Sequence, residues 1–236
     1  MKRRASIVLG LATERDLSAL RQWRSLPDWP QMAGSAFSDR QNFRSVLNNH
    51  KEIIMIAKTL AEAPIGLAHF SASGLSPGTA QYSAAIPLAT ERSIGRGRDL
   101  LLLTMGAAFF VFRYHEIFSL IDAGKNWLIS KCLASGFCEE PDFRFLGLNA
   151  LREPGMKILR TTAATWARRW SQEFADKARQ DPWLKQNVAW ADLASPSRLL
   201  TSPRTITALG SPAPSDLAAE HRDTDQRFRP PRKVLF

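Results

Sequence analysis

Apolar positions along the chain switch repeatedly between a period of about two and one of about 3.6, so strands and helices alternate. Residues 7–11 read as a short apolar strand. Thr13, with Asp16 three positions later, resembles a capping box that opens a helix. Leu17, Leu20 and Trp23 give that helix its apolar stripe, and Pro27 ends it. Ser38 and Gln41 form a second capping pair ahead of Phe43, Val46 and Leu47. Residues 53–58, 65–71 and 79–86 then predict three strands of a meander, with turn chemistry at 61–64 and 73–78. A helix over 98–113, a strand over 116–123, a short helix over 126–135 and a strand from Phe137 complete the order β-α-α-β-β-β-α-β-α-β.

Beyond residue 150 the pattern changes. Residues 158–179 predict an amphipathic helix with Leu159, Ala163, Trp166, Trp170 and Phe174 on its stripe. Arg160, Arg168, Arg169 and Lys177 lie off it, on a polar face open to solvent, to nucleic acid, to a partner helix or to a membrane surface. From Ser195 onward Ser, Pro, Thr and Arg dominate, which predicts a disordered tail ending in Arg227, Arg229, Arg232 and Lys233 around Pro230 and Pro231. The expected division is therefore a domain over 1–150, a helical extension over 151–194 and a basic tail over 195–236.

Composition narrows the class. Of 236 residues, 44% are hydrophobic and 23% charged, which excludes collagen, a disulfide mini-scaffold and a wholly disordered chain. Lys and Arg number 32 against 22 Asp and Glu, a net charge of +10 that points to an anionic partner. Residues 151–236 carry 15 basic against 9 acidic side chains, and residues 1–150 carry 17 against 13, so the smaller part holds more of the excess. Cys132 and Cys138 have no second cysteine pair or nearby histidines to complete a metal site. Free thiols, an opening Met-Lys-Arg-Arg without a long apolar run behind it, and an apolar stretch of only 13 residues at 100–112 all lead to the expectation of a cytoplasmic protein with no membrane span and no metal.

The informative segment is Arg92-Ser93-Ile94-Gly95-Arg96-Gly97-Arg98, set between a strand and an apolar helix. Two glycines one residue apart let the backbone curl so that successive N–H groups point into one concavity. The helix beginning there adds its unpaired N–H groups and positive dipole end, so the segment suits phosphate or pyrophosphate. No Gly-Lys-Ser/Thr follows, which excludes a Walker loop, and Leu100 stands where a dinucleotide fingerprint needs its third glycine. A solvated turn with arginines is the alternative.

In this context Arg92-x-x-Gly95-x-Gly97 resembles motif A of the GNAT acetyltransferase superfamily. Asn126 followed by Gly136-Phe137 resembles that superfamily's Asn-bearing helix and Gly-Phe signature. Leu20-Arg21-Gln22-Trp23-Arg24 resembles the first-helix pattern of the subgroup that includes the ribosomal-protein N-terminal acetyltransferases. The resemblance covers roughly residues 5–150. It implies an α/β (α+β) fold of the acyl-CoA N-acyltransferase type: a mixed, mostly antiparallel sheet, strands four and five splayed, helices on both sides, and here a helical C-terminal extension. It also implies acetyl-CoA as acyl donor and an amine as acceptor. The pyrophosphate would rest on Arg92, Ser93, Ile94, Gly95, Arg96, Gly97 and Arg98, near Asn126. The pantetheine arm would pair with the backbone at Ile86 and Leu88, with one N–H there polarising the thioester carbonyl.

The reaction needs a base for the ammonium and an acid for the thiolate. The superfamily's usual residues are missing. The fourth strand has Gln81 and Tyr82 but no acid, and the usual tyrosine falls on Cys132 counted back from Gly136, or on Leu133 counted forward from Asn126. His69, Tyr82 and Cys132 are the candidates that remain. For each, packing is the competing role. A non-catalytic protein that binds CoA or an anionic partner on the same scaffold stays open, and the acceptor is not encoded in any motif.

Overall fold

The computed structural model describes residues 7–26, 45–47, 49, 51–72, 78–93, 95–141 and 155–194. The capping pair Ser38/Gln41, Ile94 and the tail over 195–236 lie outside the described residues.

The strands are β1 (Val8–Leu11), β2 (Glu52–Lys58), β3 (Pro64–Ala72), β4 (Thr79–Ala85), β5 (Glu116–Asp122), β6 (Cys138–Glu140) and β7 (Met156–Thr162). The helices are α1 (Leu17–Arg24), α2 (Ala89–Ser93), α3 (Arg96–Phe110), α4 (Asn126–Ala134), α5 (Ala163–Ala178), α6 (Pro182–Asn187) and α7 (Trp190–Ala194). The strands form one sheet in the order β1-β2-β3-β4-β5-β7-β6. Every pairing is antiparallel except β4 with β5. That exception follows from α2 and α3, because parallel neighbours need a long crossover connection, here a helical one.

Strand alternation sorts the core into two faces. Met55, Ala68, Phe70, Ala80, Tyr82, Ile117 and Leu159 join the large cluster under α3, α4 and α5. Ile54, Ile56 and Leu67 face the other way, against Leu17, Leu20 and Trp23 of α1. Trp23, part of the first-helix pattern noted above, is thus a packing residue with 2% of its surface exposed. The capping box forms as expected: the Asp16 carboxylate accepts from the Thr13 N–H at 2.8 Å.

Two expectations are corrected. Residues 158–162 are strand, not helix: β7 pairs with β5 over seven residues and with β6 over three. The helix starts at Ala163, capped by the Thr162 hydroxyl, which accepts from the Thr165 N–H. Leu159 fitted the helical stripe only because it is buried from a strand instead. Consequently the boundary at 150 does not coincide with the end of the sheet, and 151–194 is not purely helical.

The C-terminal helices are built into this core. Phe110 stacks on Phe174 at 5.7 Å, and Trp166 meets Phe109 at 5.6 Å. Lys177, expected on a solvated face, is buried and donates to Asp99 in the first turn of α3 at 2.7 Å. Asp181 is fully buried, caps α6 through the Leu184 N–H and accepts from the Leu9 N–H of β1 at 2.6 Å. Its carboxyl is pushed up by burial and pulled back by those backbone donors.

Gly106 of α3 lies directly against the Phe174 ring of α5. A Cβ there would meet the Phe174 ring at 2.2 Å. A helix interior normally gains ~1 kcal/mol from Gly→Ala. Here Gly106→Ala is expected to destabilise by about 1–3 kcal/mol through overpacking, measured as a lower urea midpoint at unchanged slope.

Candidate functional site

β4 and β5 are paired over three positions only: Thr79 with Glu116, Ala80 with Ile117 and Gln81 with Phe118. Both strands run on, to Ala85 and Asp122, without further ladder. At the point of divergence the Ser119 hydroxyl donates to the Tyr82 carbonyl at 2.9 Å, a side chain standing in for the missing backbone partner. The Tyr82 carbonyl therefore points toward β5. Peptide alternation puts the N–H and C=O of Ala84 on the same edge. Ala84 is exposed although Tyr82 and Ala85 beside it are buried. The free edge at the fork is thus centred on Ala84. The expected pair Ile86 and Leu88 lies past the strand end, where the Leu88 carbonyl already accepts from Glu91 and Arg92 N–H groups to start α2. Pro87, lacking an N–H, ends the usable edge there.

The glycine loop lies at the open end of the fork. Gly95 is the N-cap of α3 with φ +84°, a left-handed conformation that L side chains rarely adopt. A Cβ on Gly95 would meet nothing within 4 Å, and one on Gly97 would touch only Ile86 Cδ1 at 4.0 Å. Open space thus lies against the first turn of α3, where the Arg98 N–H donates to the Gly95 carbonyl at 3.1 Å and the N–H groups before it have no intrahelical acceptors. This donor set and clearance fit a pyrophosphate. The surrounding charge is more balanced than the three arginines suggest. Arg96 is ion-paired with Glu91. Arg98 bonds Glu173 of α5 at 2.7 Å and lies over the Trp170 ring. Arg92 is exposed.

Asn126 opens α4 just after β5 and is exposed on the same end of the sheet. The other end of α4 explains Gly136-Phe137. Gly136, at φ +94°, donates to the Leu133 carbonyl, and Phe137 donates to that of Cys132. This is a Schellman stop that needs glycine for its backbone.

Tyr82 and Cys132 are not at the fork; their side chains face the core. The Tyr82 hydroxyl is hydrogen-bonded with that of Thr104 at 3.0 Å, and burial pushes it far above the ordinary phenol range. Burial pushes the Cys132 thiol up to about 11. Both are packing residues, and the physical reason is strand and helix phase: each sits on the side covered by α3 and α5. His69 faces the opposite side, where Glu52 of β2 binds its Nε2 and also accepts from the Ser71 hydroxyl at 2.9 Å. Glu52, Ala84 and Ser119 escaped sequence reasoning, since cross-strand register and strand splaying leave no local signal.

Among the described residues no group of three His, Cys, Asp or Glu is placed to hold a metal ion, and no helix is long and apolar enough to cross a membrane.

Comparison with solved structures settles the architecture. The spermidine N-acetyltransferase of Vibrio cholerae in complex with CoA and spermine superimposes with a TM-score of 0.56, covering 69% of this chain and 99% of that one. Its dodecameric form in an intermediate state gives 0.53 over 67% and 95%. The fold is that of the acyl-CoA N-acyltransferases. Sequence identities of 14% and 13% carry this fold and no residue correspondence. No family model and no curated protein matches the chain. Within the acyl-CoA N-acyltransferase fold, the β4–β5 fork and the glycine-capped start of α3 are the parts described above.

Tyr82→Phe separates packing from chemistry. It is expected to cost about 1 kcal/mol of stability through the lost hydrogen bond, while acetyl-CoA affinity, read by calorimetry, stays unchanged.

Proposed function

We propose that the chain is an acetyl-CoA-dependent N-acetyltransferase. The observation that carries this reading is the fork: two parallel strands that part after three pairs, beside a helix start whose donors and clearance suit a pyrophosphate. A protein of the same fold binds CoA and spermine, which supports an acyl-CoA donor and an amine acceptor. The thioester arm would add to the exposed edge at Ala84 as a further strand, and its carbonyl would take the N–H there. The amine nitrogen attacks that carbonyl carbon, the C–S bond breaks, and the amide and the CoA thiol result.

The acceptor class stays among protein N-termini, aminoglycosides, amino sugars and polyamines. Kinship with the ribosomal-protein subgroup rests on the Leu20–Arg24 pattern alone, and a cytoplasmic setting suits the free thiols Cys132 and Cys138. Arg168 and Arg169 remain at the surface of α5 for an anionic partner such as nucleic acid. The second reading, a CoA binder without transfer, is favoured by one observation: Tyr82 and Cys132, the nearest replacements for the usual acid and base, are sealed in the core.

Calorimetry with acetyl-CoA, beside thiol release over a panel of primary amines, separates the two. Binding with turnover supports the enzyme, binding alone supports the binder, and no binding sinks both. Gly97→Asp has room for its Cβ and should leave thermal unfolding unchanged while weakening acetyl-CoA affinity by about 100-fold or more, because a carboxylate would then face the pyrophosphate.

A further inference from the structure

α5 brings an aromatic ring and an extra cation to the start of α3. Trp170 lies midway along α5, and its indole N–H donates to the Ser135 carbonyl at the end of α4 at 2.9 Å. That bond fixes the ring between two helices. Two guanidinium groups lie over the fixed ring. Arg98 of α3 is 5.4 Å from its centroid, and Arg169 of α5 is 5.2 Å from it. A guanidinium held through its flat face keeps its N–H edges for partners in its own plane. At Arg98 one edge donates to Glu173 at 2.7 Å. Arg169 is exposed and has no carboxylate partner among the described residues. The cluster therefore sets two cations against one carboxylate, and it is open to solvent, since the Arg98 side chain is 55% exposed.

Arg98 ties this cluster to the glycine loop. Its backbone belongs to the first turn of α3, beside the open space at Gly95 and Gly97, while its side chain reaches α5. The unpaired edge of Arg169 thus lies across a single indole ring from a side chain of that turn. In CoA the ribose that carries the pyrophosphate on its 5′-oxygen also carries a phosphate on its 3′-oxygen. A second anion therefore follows the first at the distance of one sugar ring. It is a phosphomonoester, close to dianionic at neutral pH.

We infer that Arg169, assisted by Arg98 and held in place by Trp170, takes the 3′-phosphate of CoA, so that α5 makes the chain prefer CoA to carriers that lack this phosphate. This rests on the acetyl-CoA reading above and adds a specificity site to it. The planar fork of Arg169 matches two phosphate oxygens at once, which an ammonium does not. Glu173 works against the phosphate, both by its own charge and by holding Arg98. The Ser135 carbonyl is already occupied by the indole N–H. None of these side chains belongs to β4 or β5, so a change at Arg169 reads the nucleotide end of the ligand and not the thioester end.

The test is calorimetry of the full chain with CoA and with dephospho-CoA, which differs only in lacking the 3′-phosphate. The wild-type chain should bind CoA about 10-fold more tightly than dephospho-CoA, the worth of one charge-assisted pair. Arg169→Gln should weaken CoA by about 10-fold and leave dephospho-CoA within about twofold of wild type, so that the preference disappears. Arg169→Lys should restore only part of it. Glu173→Gln, by removing the opposing carboxylate, should widen the preference. Arg169 is exposed, so its variants should unfold at the wild-type temperature. Equal affinity of the wild-type chain for the two ligands overturns the inference. A loss in Arg169→Gln that is the same for both ligands overturns it too, because that marks general attraction to a basic surface. Failure of either ligand to bind at all overturns the proposed function itself.

Discussion

The rest of the structure depends on a parallel pairing that stops early. β4 and β5 share three residue pairs, then separate with both strands still extended. An unpaired strand edge inside a sheet leaves peptide groups without partners, which is costly unless something supplies them. Ser119 supplies one partner through its hydroxyl, which donates to the Tyr82 carbonyl where the strands part. Beyond it the edge at Ala84 is open, and under the proposed function this is where an extended thioester arm would add. The crossover through α2 and α3 makes the pairing parallel and also brings the Gly95 cap to the mouth of the fork. One topological fact therefore sets both the slot and the glycine-capped helix start beside it.

Keeping a sheet split requires rigid support on both sides. On one side α3 and α5 are packed through Phe110, Phe174, Trp166 and Gly106, and buried Lys177 ties the end of α5 to the first turn of α3. A buried ion pair adds little net stability but is costly to break by halves, so it holds geometry more than it adds energy. Asp181 extends the same support to β1 by accepting from Leu9. The C-terminal helices are thus part of what holds the glycine loop in place. Their charge is partly spent inside the fold, since Lys177 neutralises Asp99, and Glu173 on α5 neutralises Arg98.

Much of this was legible in the residues. Thr13 and Asp16, the Leu17–Leu20–Trp23 stripe, the three-strand meander and Gly95 all act locally, through capping, periodicity and permitted backbone angles. β7 was misread because Ile158 and Leu159 satisfy either period, and only the need of β5 for a partner on its far side decides between them. Tyr82 and Cys132 were candidates by type, but strand and helix phase turned both into the core. Glu52 was invisible, since its meeting with His69 depends on register between strands 17 residues apart.

The sequence by itself determined most of the elements before residue 141, their order and the glycine-capped start of α3, because these follow from interactions within a few residues. Only the tertiary structure decided where β4 and β5 part, that the edge donor falls at Ala84, and that the histidine on β3 has a carboxylate partner on β2. Those are consequences of strand pairing, and pairing is a property of two distant segments that neither one carries alone.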